Sequence, residues 1–155
     1  MSEIVESIPP RLQEIIEDFS WCEGREKLEL LLEFSESLPA LPERLHNQRD
    51  AMEPVPECMT PVFIHAETDA GRMAFFFDVP PESPTVRGYA EILRQGVEGA
   101  SPEAVLAIPN AFYVQMGLQQ VLTHQRMSGI SAILAHMKRL AAKELGKQAN
   151  TEEKR

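Results

Sequence analysis

Cysteine is scarce in this sequence: 155 residues contain two, Cys22 and Cys58. That number excludes a disulfide framework and leaves two free thiols, as expected in a reducing cytoplasm. Basic residues are also in short supply, 15 lysines and arginines against 24 acidic residues, for a net charge of −9. A chain so charged is repelled by phosphate backbones and anionic bilayers, which argues against nucleic acid and membrane surfaces as partners. No apolar run approaches the roughly 20 residues that span a bilayer. The opening residues carry Glu3 and Glu6 and no basic residue, unlike a secretory leader. The four histidines, His46, His65, His124 and His136, fall in no HxH, HExxH or CxxC…H spacing, so no zinc site is expected. Internal repeats and low-complexity tracts are absent as well.

What remains is the balance of an ordinary globular domain, 43% hydrophobic and 25% charged, long enough to bury a core. Leu12, Ile15, Ile16 and Phe19 repeat at helical spacing behind Pro9 and Pro10, which suit a helix start. Gly24 separates this helix from a second, whose inward stripe is Leu28, Leu31 and Leu32 and which Pro39 and Pro42 bring to an end. From Leu45 to Pro61 periodicity disappears and prolines accumulate, predicting an irregular connection with a short edge strand. Val62, Ile64 and Ala66 then alternate with Phe63, His65 and Glu67. The turn Asp69-Ala70-Gly71 and the run Arg72 to Asp78 complete a β-hairpin. Further helices follow. Val86, Tyr89, Ala90, Leu93 and Val97 share one face, and Ser101-Pro102 caps a short helix. A stretch broken at Gly117 comes next, and a last helix buries Ile130, Ile133, Leu134, Met137 and Leu140. The expected architecture is a single α+β domain over 1–145, a small antiparallel sheet packed against several helices, with a flexible polar tail over 146–155.

One residue stands out as a candidate for chemistry. Cys58 sits in Pro56-Glu57-Cys58-Met59-Thr60-Pro61, between two prolines and just before the hairpin, where a loop braced by a sheet can present a nucleophile. Its other reading is a buried, inert cysteine packed as a small hydrophobe, and local sequence leaves both open. Cys22, after Trp21 at the end of the first helix, reads as a packed residue. His65 is expected on the solvent side of its strand and His124 on the surface near the start of the last helix. A Cys–His hydrolase is disfavoured, because no nucleophile elbow accompanies the thiol. Arg87 and Arg126 are solvated charges by default; Arg126 becomes functional if it stands close enough to the Cys58 thiolate to favour it.

Several segments, in order, resemble the SufE family of sulfur acceptors. They are Leu12 to Phe19, Leu38-Pro39-Ala40-Leu41-Pro42, Val55 to Phe63 around Cys58, Thr85-Val86-Arg87-Gly88, and Leu122 to Gly129 around Arg126. The resemblance implies a SufE/IscU-like fold and a function: Cys58 takes persulfide sulfur from a SufS-type cysteine desulfurase, stimulates that enzyme, and delivers sulfur to an iron–sulfur scaffold complex. It implies a cytoplasmic monomer without a cofactor of its own, pyridoxal phosphate belonging to the desulfurase. Arg126 would support the cysteine loop or dock the partner, and Arg87 with Gly88 would shape the adjoining helix. Many members carry glycine before the cysteine, where this chain has Glu57. The substitution removes backbone freedom and sets a negative charge beside the thiol, which raises its pKa. Two alternatives remain: a desulfurase-binding regulator that carries no sulfur, and a cluster scaffold, which two cysteines alone hardly supply.

Overall fold

The computed structural model describes residues 6–153, with side chains to residue 149. Helix α1 (Pro10–Trp21) buries Leu12, Ile15, Ile16 and Phe19, the stripe that the periodicity predicts. Gly24, at φ +50°, breaks the chain before α2 (Arg25–Glu36). The α2 stripe differs from expectation, because Leu28 and Leu32 are only partly covered while Lys27 is buried. Lys27 is 5% exposed. Its ammonium donates to the carbonyls of Phe19, 2.6 Å away, and Met116, 2.9 Å away. A charge that pattern analysis would place in solvent therefore ties two helix C-termini together, where unpaired carbonyls attract a cation.

The segment from Pro39 crosses to the sheet through two short 3-10 turns, Glu43–Leu45 and Arg49–Ala51. Three antiparallel strands lie in the order β1 (Glu53–Pro54), β2 (Phe63–Asp69) and β3 (Arg72–Asp78). The register pairs Ile64 with Phe77 and Ala66 with Phe75, so one face joins the core. On the other face Arg44 lies over the Phe76 ring and pairs with Glu67. Arg49 lies over Phe63, 4.9 Å from its centroid, and binds Asp78 at 2.6 Å. The hairpin turns through Ala70 (φ +52°) and Gly71 (φ +78°), the backbone of a type I′ turn.

Helix α3 (Pro84–Gly96) is the spine of the core, with Tyr89, Ala90, Ile92 and Leu93 fully buried. Two of its glycines permit this. A Cβ on Gly88 would lie 2.2 Å from the Leu31 carbonyl oxygen, and one on Gly96 would lie 2.9 Å from Leu12 Cβ. Gly88 thus sets how closely α2 approaches α3. Helix α4 (Pro102–Leu106) is capped by Ser101, whose hydroxyl accepts from the Ala104 amide at 3.2 Å. Helix α5 (Tyr113–Met116) ends at Gly117, which is left-handed, as the break in the sequence predicts.

Helix α6 (His124–Glu153) crosses behind the sheet and buries Ile130, Ile133, Leu134 and Met137, with Leu140 partly covered. In the expected polar tail over 146–155 the chain is helical as far as Glu153, and residues 154–155 lie outside the described residues. Past Gly146 the sequence has no proline, and alanine, lysine, glutamine and glutamate sustain a helix without an apolar face. The α+β fold class with a small antiparallel sheet stands as expected, with six α-helices among the described residues.

Candidate functional site

The loop from Val55 to Val62 connects β1 to β2, and its ends are closed on each other by the Val55 amide, which donates to the Val62 carbonyl at 2.9 Å. Cys58 sits at the apex of this closed loop, its own amide donating to the Val55 carbonyl at 3.2 Å. The loop rests against the first turns of α6. The approach is tight at Gly129, where an added Cβ would meet Cys58 Sγ at 3.4 Å and the Cys58 Cα at 3.5 Å. The thiol donates a long hydrogen bond, 3.4 Å, to the Gly129 carbonyl. Cys58 is half-buried, between the open thiol and the packed hydrophobe that local sequence allows. Its neighbour Met59 is 81% exposed, an unusual state for a large apolar side chain.

Beside the thiol opens a cleft of about 400 Å³, lined by Cys58, Met59 and Thr60 from the loop, Ser83 and Val86 from the start of α3, and Arg126 from α6. Ser83 donates to the Thr60 hydroxyl at 3.1 Å and so moors the loop on its far side. Arg126, the supporting residue expected from the sequence, does lie in this cleft. Its guanidinium Nη1 donates to the Thr85 hydroxyl at 2.6 Å, and the residue remains exposed. It does not favour the thiolate here. Burial pushes the Cys58 thiol up to about 11, and the charge of Glu57 adds to the rise, as its position before the cysteine predicts. Arg87 serves the fold, donating to the Val79 carbonyl at 2.8 Å, and Gly88 faces α2 rather than the loop.

His136 belongs to no motif in the sequence. Two turns beyond Gly129 on the same face of α6, its ring stands between two carboxylates. Nδ1 is 2.6 Å from Glu53 Oε2, and Nε2 is 2.9 Å from Glu57 Oε1. Carboxylates only accept, so a ring facing one on each side is an imidazolium donating from both nitrogens. Burial by itself lowers the His136 pKa, but the bonds to Glu57 and Glu53 outweigh it and hold the imidazole above its ordinary value. The bond from His136 in turn holds Glu57 below the usual carboxylate range. The seven-residue spacing from Gly129 was the one available signal, and it has meaning only once the loop is known to lie on that face.

The other candidates are dispersed. Cys22 Sγ donates to the Asp18 carbonyl at 3.5 Å, within its own helix end. His65 is partly buried and meets Glu67 at 3.1 Å, and His124 is exposed at the start of α6. Among the described residues no three His, Cys, Asp or Glu side chains converge to hold a metal ion, and no helix is long and apolar enough to cross a membrane.

Comparison with known proteins gives the chain's relatives. Residues 13–141 match the family model SufE, described as an Fe-S metabolism associated domain. An uncharacterized SufE-like protein of Mycobacterium tuberculosis is 44% identical over 134 residues, covering 86% of this chain and 92% of that protein. A SufE-like protein 1 of Arabidopsis thaliana, chloroplastic/mitochondrial by its name, is 30% identical over 138 residues, which are 88% of this chain and 36% of the plant protein. A solution structure of a hypothetical protein from Thermus thermophilus superposes with a TM-score of 0.79 at 36% identity, covering 90% of this chain and 99% of that one.

Proposed function

This chain belongs to the SufE family, whose domain is associated with iron–sulfur metabolism, and on that premise we propose that Cys58 is a sulfur acceptor. The thiol takes the outer sulfur of a persulfide formed on a cysteine desulfurase and hands it on for cluster assembly. One observation carries the reading: a single half-buried thiol is held at the apex of a closed loop, by one long hydrogen bond, at the edge of an open cleft. Such a thiol is protected at rest and close enough to the surface for delivery.

The transfer is an exchange at sulfur. Cys58, once deprotonated, attacks the outer sulfur of the enzyme persulfide. The new bond joins Cys58 Sγ to that sulfur, the S–S bond of the donor breaks, and the donor cysteine leaves as a thiolate that takes up the released proton. No external oxidant or reductant is consumed, and the acceptor needs no cofactor of its own. The pyridoxal phosphate that generates the persulfide belongs to the desulfurase.

With its thiol raised to about 11, the resting protein holds roughly one Cys58 in ten thousand as thiolate at pH 7. Rapid attack therefore requires the docked partner to lift the loop from Gly129 or to bring positive charge to it. Arg126, already in the cleft, can supply such charge if it leaves Thr85 as the loop moves. The exposed Met59 gives the partner an apolar hold beside the nucleophile.

Intact-mass spectrometry after incubation with a SufS-type desulfurase, pyridoxal phosphate and cysteine, without reductant, tests this reading. The expected result is added mass in steps of one sulfur, removed by dithiothreitol and absent from Cys58→Ser. Faster desulfurase turnover without added mass, retained in Cys58→Ser, overturns the carrier and leaves a docking activator.

A further inference from the structure

We propose that His136 is a positioning residue for the nucleophile, a latch that pins the cysteine loop to α6 and β1 through a Glu53–His136–Glu57 bridge. The proposal rests on the reading of Cys58 as the reactive thiol. Val55 and Val62 close its base, and Ser83 holds Thr60 two residues after the thiol at 3.1 Å. The residue immediately before the thiol, Glu57, has one side-chain partner among the described residues, the His136 Nε2, at 2.9 and 3.2 Å from its two oxygens. The other ring nitrogen is anchored on Glu53, in the strand where the loop begins. One imidazolium thus joins the helix, the edge strand and the residue next to the nucleophile.

The surroundings favour an ionised bridge. Arg139, one turn along α6, reaches Glu53 Oε2 at 3.8 Å, so Glu53 is shared by two cations. His65 on β2 and Lys143, Glu144 and Lys147 on α6 line the polar cleft on the other side of Glu53. Glu57 is nearly half exposed, whereas the His136 side chain is largely covered, so solvent reaches the bridge from the Glu57 end. That is the bond that opens first.

The pH window follows from the two directions. Glu57 sits below its ordinary pKa, so its part of the bridge is lost only as pH falls through that lowered value. His136 sits above its ordinary value, so its part is complete below about 6.5 and is lost as pH rises through the raised value. The latch is closed between these limits and opens on the alkaline side, leaving Glu57 free beside the thiol. A basic side chain presented by a partner opens it at constant pH by competing for Glu57.

The test reads loop opening without sulfur transfer, so its failure is distinct from failure of the carrier reading. Amide hydrogen exchange is followed by NMR as a function of pH, and the protection of Cys58 is corrected for intrinsic exchange. In the wild type the protection is expected to fall about three- to tenfold as pH rises through the ionisation of His136, which is followed on its own ring signals. Glu57→Gln and His136→Gln are expected to lack that step and to show low protection throughout, while the amides of α3 stay protected. Glu57 lies at the surface, so its variant keeps the experiment valid if the histidine variant fails to fold. A Cys58 amide whose protection is absent, or independent of pH, in the wild type overturns the latch. So does a step that survives in Glu57→Gln.

Discussion

If burial sets the ionisation of Cys58, its alkylation rate in the folded protein is fixed by quantities that can be worked through. The thiol is raised from an ordinary 9.0 to about 11. At pH 8 both values lie above ambient, so the thiolate fraction falls about a hundredfold on folding. Nucleophilicity increases with basicity, with a Brønsted slope of about 0.4–0.5, which returns a factor of six to ten to each thiolate that forms. The net effect is a folded thiol alkylated roughly ten to fifteen times more slowly than the unfolded one, before any steric protection. The assay uses a Cys22→Ser background so that one thiol reports, with iodoacetamide at pH 8 in buffer and in concentrated urea. Cys22 bonds only to a carbonyl within its own helix end, so its replacement leaves the Cys58 loop untouched. The native profile should still be rising at pH 10, whereas the unfolded one bends near 9. Adding Glu57→Gln should shift the native profile to lower pH, because it removes the smaller cause, the Glu57 charge, and also the bond to His136 that holds the loop down over the thiol. Equal rates in buffer and urea, with a native bend near 9, would refute the argument that the loop shields the thiol.

Two further substitutions probe the frame that holds the site. Gly88→Ala places a methyl 2.2 Å from the Leu31 carbonyl and forces α2 away from α3, at an expected loss of about 1–3 kcal/mol in urea unfolding. A loss below about 0.5 kcal/mol would mean that the helices part without strain. Lys27→Met removes the partner of the Met116 carbonyl, while the Phe19 carbonyl keeps the Cys22 amide. The expected cost is therefore that of one orphaned acceptor, about 1–2 kcal/mol, and an unchanged unfolding midpoint would show that the ammonium contributes nothing net.

Much of the frame was legible because it is local. The α1 stripe, the Gly24 break, the Ser101 cap, the Gly117 stop and the hairpin each depend on residues within a few positions of one another. The short edge strand could be placed for the same reason, since prolines are tolerated at an edge. The place of Cys58 was legible too, as one thiol framed by two prolines at the entry to a strand. Past residue 145 the apolar face ends while the helix does not, because propensity alone continues it to Glu153.

The sequence by itself therefore determined the elements, the α+β class, the family and the loop on which Cys58 sits, because periodicity, turn chemistry and motif order are properties of neighbours along the chain. Tertiary structure alone decided the state of that thiol. Half-burial against Gly129, the cleft shared with Arg126 and the histidine between Glu53 and Glu57 bring together residues far apart in sequence. The same holds for Lys27, whose charge is stabilised by two carbonyls that meet only after α1 and α5 have packed. Ionisation depends on desolvation and on charges a few ångströms away, and those distances exist only after the chain has folded.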